Sequence, residues 1–299
     1  MVITRSRIRE SKGDRVFIGL VVAFLSLVVL AVIYPLIYIV SSSFSSGQAV
    51  GAGKVWLLPV EPTLAGYKAV FNHPAIMLGY ANSAFYTFFG TLINIFVTVL
   101  VAYPLSRKDF FGRKFIMLAL VFTLMFSGGL IPLYLVVKRV GILNMRLAML
   151  IPQAVHVWQV IIARTFFASA IPDELAESAE MDGCSDAYFI WRIVLPLSKP
   201  ILAVLVLMYA VFHWNAYFDA LIFLSNSKFF PLQIILRNIL ILNEASTVAK
   251  MVSQEIARQN LAQLLKFSLI VVASAPVLAL YPFAQKYFVK GVMIGSLKG

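Results

Sequence analysis

The 299 residues carry 25 Lys and Arg against 13 Asp and Glu, a net charge of +12, yet only 13% are charged and 61% are hydrophobic. A mean hydropathy of +0.90 excludes an ordinary soluble domain, and a single cysteine excludes an internal disulfide framework. The bases lie mostly in short loops between apolar runs, which argues for a membrane topology signal and against nucleic-acid binding.

In chain order, Met1–Arg15 is a polar tail with Arg5, Arg7, Arg9, Lys12 and Arg15. Residues 16–40 are free of charge and long enough to span a bilayer, so they predict a first, retained helix with the basic tail in the cytoplasm. Residues 41–77 predict a polar external segment. Its Gly51-Ala-Gly-Lys54 run fails as a phosphate-binding loop, because Gln48 and Val55 stand where that pattern needs Gly and Ser or Thr. Residues 78–105 predict the second span, with Ser83, Thr87, Gly90, Thr91 and Thr98 allowing close helix approach. A short basic loop follows, with Arg107, Lys108, Arg113 and Lys114. Residues 115–137 predict a third span broken at Ser127-Gly128-Gly129 and Pro132.

The fourth span is predicted over 147–170, with Gln153, His156, Trp158 and Gln159 inside it and Arg164 near its cytoplasmic end. The fifth is predicted over 201–224, holding His213, Trp214, Asn215, Tyr217 and Asp219. A second external segment, 225–260, leads to the sixth, 261–288, and a tail over 289–299. Six spans place both termini in the cytoplasm, with fifteen of the twenty-five bases on that side. The fold class is all-α and polytopic.

The segment between the fourth and fifth spans, 171–200, is unlike the rest. Six of the thirteen acids, Asp173, Glu174, Glu177, Glu180, Asp182 and Asp186, fall within fourteen residues. Pro172 suits a helix start, and Asp173 and Glu174 favour its N-terminal dipole. Leu175, Ala176 and Ala179 share one helical face. Asp182-Gly183 signals the end of this helix. A second amphipathic run over 187–194 is expected to break at Leu195-Pro196, and Pro200 restarts an apolar segment. Acids that topology does not need, held in a water-exposed loop, serve a partner.

The order Ile171-Pro172-x-Glu174-Leu175-x-Glu177-x-Ala179-x-x-Asp182-Gly183, followed by Leu195-Pro196 and Pro200, resembles the "EAA" loop of the membrane subunits of binding-protein-dependent ABC importers. Ser178 and Cys184 depart from that motif, each being small where it carries alanine. Trp214-Asn215, Pro231-Leu-Gln-x-x-Leu-x-Asn238 and Gln285-Lys-Tyr-Phe-Val-Lys-Gly-Val-Met-Ile-Gly295 are similar to carbohydrate-importer permeases of the maltose-permease-like, oligo- and polysaccharide group. The resemblance implies six transmembrane helices of the type I importer permease fold in a bacterial inner membrane. It implies a heterodimer with a second homologous permease, two copies of an ATPase subunit that binds ATP and Mg, and an extracytoplasmic sugar-binding protein. The chain itself is then no enzyme and carries no cofactor or metal. The resemblance also implies that Glu174, Glu177, Ala179, Asp182, Gly183, Leu195 and Pro196 dock the ATPase.

Polar residues inside the spans admit three readings: helix–helix hydrogen bonding, metal or proton roles for His156 and His213, and sugar contact through Gln153, Trp158, Trp214, Asn215 and Tyr217, which pair aromatic faces with amide and hydroxyl groups. A permease for another solute, or an ion-coupled secondary transporter, remain the alternatives, the second leaving the acidic loop without a role.

Tags at Met1 and near Lys108, Asp182 and Gly299 are expected to be protected from external protease, and tags near Gly51 and Thr247 to be cleaved. Protection at Thr247 alongside cleavage at Gly51 breaks the six-span topology.

Overall fold

The computed structural model describes residues 11–245 and 262–282. The basic tail up to residue 10, the segment 246–261 and the C-terminal motif from Gln285 lie outside the described residues. Among the described residues all regular structure is helical. Contacts divide the chain into two units, one of residues 1–70 with 247–271 and one of residues 71–246 with 272–299.

In the first unit, α1 (Lys12–Ser43) starts four residues before the expected span because Ser11 and Asp14 cap each other's backbone, at 3.1 and 3.2 Å. Its 32 residues rise about 48 Å. Only Ser41, Ser42 and Ser43 are buried, so most of the apolar length of α1 is exposed among the described residues and suits lipid. The following segment, expected to be simply polar, folds back. Ser41 Oγ donates to the Leu57 carbonyl (2.6 Å), and Ser45 Oγ donates to the Ser41 carbonyl (2.7 Å). Ala49, Val50 and Val55 are buried against Tyr38, Val60 and Phe267. The Gly-Ala-Gly-Lys run terminates α2 (Gly47–Gly51). Gly53, at φ +68°, and Lys54 donate their N–H groups to Val50 and Ala49, so these amides close a helix and do not cradle phosphate. The helix α3 is Ala65–Asn72.

The second unit is built on α4 (Pro74–Ser106), 33 residues long. Asn82, Tyr86, Gly90, Asn94, Thr98, Ala102 and Ser106 recur at every fourth position and all are buried. An i±4 row is a ridge on a helix surface, and here the ridge is small or polar. Each polar member has a partner on another segment or on its own helix. Asn82 Nδ2 donates to the carbonyls of Lys228 (2.8 Å) and Phe230 (3.1 Å), and Tyr86 OH donates to Phe229 (2.8 Å). Asn94 donates to the Gln153 carbonyl, and its Oδ1 lies 2.6 Å from His213 Nε2. Thr98 Oγ1 and Tyr209 OH are 2.6 Å apart. Ser106 Oγ donates to the Tyr103 carbonyl (2.6 Å). Ser83, beside the ridge, accepts the N–H of Leu232 (2.8 Å) and so caps the first turn of α13 (Leu232–Ala245).

The third apolar run is two helices, α5 (Arg113–Met125) and α6 (Leu130–Arg139), bent by 115°. The break falls at the expected Ser127-Gly-Gly, with Gly129 at φ +84° opening α6. The fourth run does not form one helix from 147 to 170. Residues Arg146–Met149 make a 3-10 turn, and α7 begins only at Val157 and ends at Ala170. The physical reason is that Pro152 has no N–H to donate and the Gln153 carbonyl accepts from Asn94, a bond that a continuing helix would displace. The fifth run also divides, into α11 (Lys199–Trp214) and α12 (Phe218–Phe223). Asn215 ends α11 by donating its side chain to the Val211 carbonyl (2.9 Å). The final described helix, α14, is Ala262–Pro282.

A Cβ on Gly90 would collide with the imidazole of His213, whereas one on Gly19 meets open space. Gly90→Val is therefore expected to destabilise the purified protein by about 1–3 kcal/mol through overpacking, and Gly19→Val to leave it unchanged. Thermal unfolding in detergent checks both; an unshifted Gly90→Val transition separates α4 from α11.

Candidate functional site: an anchored acidic helix–turn–helix

The acidic segment is attached at the C-terminal end of α4. Arg107 is buried there, 8% exposed, and its Nη2 donates to the Ile171 carbonyl (2.8 Å). Its Nη1 lies 3.3 Å from Asp173 Oδ1, and its guanidinium sits 5.5 Å from the centre of the Tyr103 ring. Lys108 reaches the other Asp173 oxygen at 2.9 Å. Two further arginines hold the same chain end: Arg113 Nη1 donates to the Arg107 carbonyl (3.0 Å), and Arg164 Nε to that of Leu105 (3.2 Å). Asp173 is thus an internal strut. The sequence carried the signal, a basic loop at 107–114 of opposite sign to 173–186, but those bases also satisfied the topology rule and so suggested no partner.

From that strut runs α8 (Asp173–Met181). Leu175, Ala176 and Ala179 pack against the core formed by Tyr103, Phe167, Ile171, Phe189 and Val194, as their shared face predicts. Glu174, Glu177, Ser178 and Glu180 face outward, and Met181 is 89% exposed among them. Asp182 follows, also exposed. The helix stops through two paired bonds: the Gly183 N–H donates to Glu180 (2.9 Å) and the Cys184 N–H to Ala179 (2.9 Å). This closure needs the left-handed Gly183, at φ +75°. Cys184 and Ala179 both touch the core below it.

Ser185 Oγ accepts the Tyr188 N–H (3.4 Å) and starts α9 (Asp186–Phe189). Leu195-Pro196 does not break the second helix as expected. A π-helical turn over Ile190–Val194 leads into α10 (Leu195–Leu197), where Pro196 occupies a first-turn position that needs no N–H donor. The bend, 85°, comes at Ser198, before Pro200 in the first turn of α11. Phe189 and Val194 are buried, while Tyr188 and Trp191 are 57% and 63% exposed. The segment is therefore a two-helix lever with an apolar underside, an acidic and aromatic outer face, and a charged clasp at its root.

The polar residues of the spans separate. Trp214 is buried, its indole N–H donating to the Ala273 carbonyl (2.9 Å) and its ring meeting Tyr80 edge-on, so it holds helices together. His213 bonds Asn94, which is also the helix–helix reading. Gln153 Nε2 donates to Asp219 (3.1 Å). Asn215 is exposed and receives a long bond from Gln233 (3.4 Å). Trp158 is exposed on α7, and Tyr217 packs beside Tyr86 and Ala220.

No family model matches the chain. It is similar to Protein LplC of Bacillus subtilis (strain 168), 39% identical over 290 residues, 97% of each chain. It is similar to the polygalacturonan/rhamnogalacturonan transport system permease protein YtcP of the same organism, 39% identical over 288 residues, 96% of this chain and 99% of the relative. Among solved structures, a chain from the crystal structure of a bacterial ABC transporter involved in the import of the acidic polysaccharide alginate superposes with a TM-score of 0.85 at 34% identity, over 94% of this chain and 99% of the other.

The Lys108 hydrogen bond and the nearby Lys108 and Arg107 charges hold the Asp173 carboxyl below its ordinary range, and the Asp173 hydrogen bond and charge push Lys108 up. A lowered carboxyl pKa stabilises the clasp above about pH 4 and is lost on acidification. A raised ammonium pKa stabilises it below about pH 10 and is lost on alkalinisation. Protection of the amides of residues 175–181 from hydrogen exchange, relative to their intrinsic rates, is expected to hold between those limits. Asp173→Asn should speed that exchange at neutral pH, and Lys108→Gln should do so less, because Arg107 remains. Unchanged exchange in Asp173→Asn removes the clasp as the anchor of α8.

Proposed function

We propose a cargo and a coupling route for this chain, which belongs to the membrane-permease family of ABC importers. It is a multi-pass membrane subunit of a transport system, and its relatives are transport permeases. In our reading it forms half of the translocation path beside a second homologous permease. ATP and Mg bind on two copies of a separate ATPase subunit, both termini and the acidic lever face the cytoplasm, and an extracytoplasmic sugar-binding protein delivers the cargo.

The single observation that supports this reading is the outer face of α8. Glu174, Glu177 and Met181 are exposed on a helix whose underside and root are fixed. Glu174 and Glu177, without an ion pair among the described residues and flanking an exposed Met, suit a basic cleft on the ATPase. A charge-assisted bond from Glu177 there is worth roughly 1.5–3 kcal/mol. Closure of the cleft pushes α8, and the Arg107–Asp173 clasp passes the push to the end of α4. Ala179 and Gly183 keep the lever compact, Asp182 extends its acidic edge, and Leu195-Pro196 leads to the bend into α11.

The cargo is an oligosaccharide or polysaccharide fragment, and the relatives direct the choice to an acidic one. One is named for polygalacturonan and rhamnogalacturonan, and the transporter of known structure imports alginate. Lys54, Lys68, Lys138, Arg139 and Lys228, on the outer side in this topology, favour approach of an anion. Gln153, Asn215, Tyr217 and Trp158 are the candidate contacts along the path, whereas Trp214 is a packing residue whose loss weakens assembly.

In a reconstituted complex, Glu177→Lys is expected to lower cargo uptake by at least tenfold while the complex still assembles. Gly183→Leu, which forces a side chain into a left-handed turn at a cost of about 1–2 kcal/mol, should lower it less. Sugar-binding protein loaded with oligogalacturonate should stimulate ATP hydrolysis, and the same protein with a neutral maltooligosaccharide should not. Wild-type uptake in both variants removes the lever from coupling, and equal stimulation by the two sugars removes the acidic cargo.

A further inference from the structure

Two cavities meet beside the clasp, at the loop end of α4, α5 and α7. One, of about 350 Å3, opens among Lys108, Arg113, Arg164, Asp173 and Glu174. The other, of about 340 Å3, is a groove lined by Arg113, Lys114, Met117, Leu118, Val121 and Arg164. Arg113 and Arg164 line both. Each is fixed by one bond to a backbone carbonyl at the end of α4, which leaves most of the five guanidinium N–H donors of each for another ligand. The described ion pairs are those of Asp173 with Arg107 and Lys108, so Arg113, Lys114 and Arg164 are three cations without a paired carboxylate among the described residues.

The remainder of the groove has the opposite character. Four-residue steps along α5 carry Arg113 to Met117 to Val121, and Lys114 to Leu118, so the two charges open a stripe that is apolar beyond them. No residue of α5 is buried, and Phe115, Leu118 and Phe122 are exposed. Its first turn lacks a side-chain cap, a further preference for negative charge.

We propose that this groove binds an anionic phospholipid, with the headgroup phosphate between Arg113, Lys114 and Arg164 and an acyl chain along Met117, Leu118 and Val121. The charge order carries the assignment. A soluble anion leaves the apolar stripe uncovered, an apolar solute leaves three cations uncompensated, and a zwitterionic lipid brings a cation of its own to them. The site lies where a span of a membrane protein meets the headgroup layer, and it needs neither cargo nor ATP hydrolysis.

The test uses the full-length chain, co-expressed with its own transport partners and purified in mild detergent. The complex is offered equal phosphatidylglycerol and phosphatidylcholine, and retained lipid is read by mass spectrometry of the intact assembly. Phosphatidylglycerol is expected to be kept in preference. Lys114→Gln, an exposed and structurally silent change, should weaken that retention roughly fivefold, and Arg113→Gln with Arg164→Gln should abolish the preference. Leu118→Asn tests the acyl stripe should the double variant fail to assemble, and should lower retention of both lipids at the site. Lys54→Gln should change nothing, and inorganic phosphate should not displace the lipid. Equal retention of the two lipids, full preference in Lys114→Gln, or displacement by inorganic phosphate each overturns the assignment, whatever the transport assays show.

Discussion

The second unit depends on one constraint: in a bilayer, buried polar groups need protein partners, and α4 supplies many of them. Its four-residue ridge, from Asn82 to Ser106, bonds loop carbonyls, a histidine and a tyrosine on other segments, and Ser83 beside it caps a helix start. Helix–helix bonds of this kind average only about 0.6 kcal/mol each in membranes, so their sum is not the main stabilising term. What they fix is register. A slip of α11 by one turn would break the Asn94–His213 and Thr98–Tyr209 pairs together, while van der Waals packing between apolar helices would change little.

The same helix links the interior to the acidic lever. Its last turn ends on Arg107, a buried charge that is tolerable because Asp173, the Ile171 carbonyl and the Tyr103 ring surround it. A charge buried on one helix and answered by the first residue of another makes a stiff joint. In the proposed coupling route, movement of α8 passes to α4 through this joint. Glu177 is exposed and without an ion pair among the described residues, free to meet a partner without disturbing the joint.

Breaks in the spans follow the same logic. The late start of α7 and the division of α11 from α12 release backbone groups beside polar side chains that use or replace them: Gln153 with Asn94 and Asp219, and Asn215 with Val211. Irregular backbone inside a membrane is tolerated where protein or a water-filled path satisfies it, and these breaks lie among the polar residues assigned to the cargo.

The sequence by itself determined the all-α membrane class, six apolar runs, the acidic helix, its apolar face and its glycine stop. These are local or one-dimensional properties: hydropathy, a 3.6-residue period, and a turn that only Gly enters without strain. The family followed from about ten residues in fixed order. The break at Ser127-Gly128-Gly129 was legible too, but only tertiary structure decided the breaks before α7 and after α11. Pro196 reads as a stop in one dimension, yet a π-turn carries the chain through it, and the bend waits for Ser198. It also decided that Asp173 is a strut and Glu177 is free, although both are acids on the same helix. Trp214 was moved from cargo contact to packing, because its N–H faces the Ala273 carbonyl. For Asp173 and Trp214 the deciding partner lies about sixty residues away, and neither propensity nor periodicity carries information over that separation.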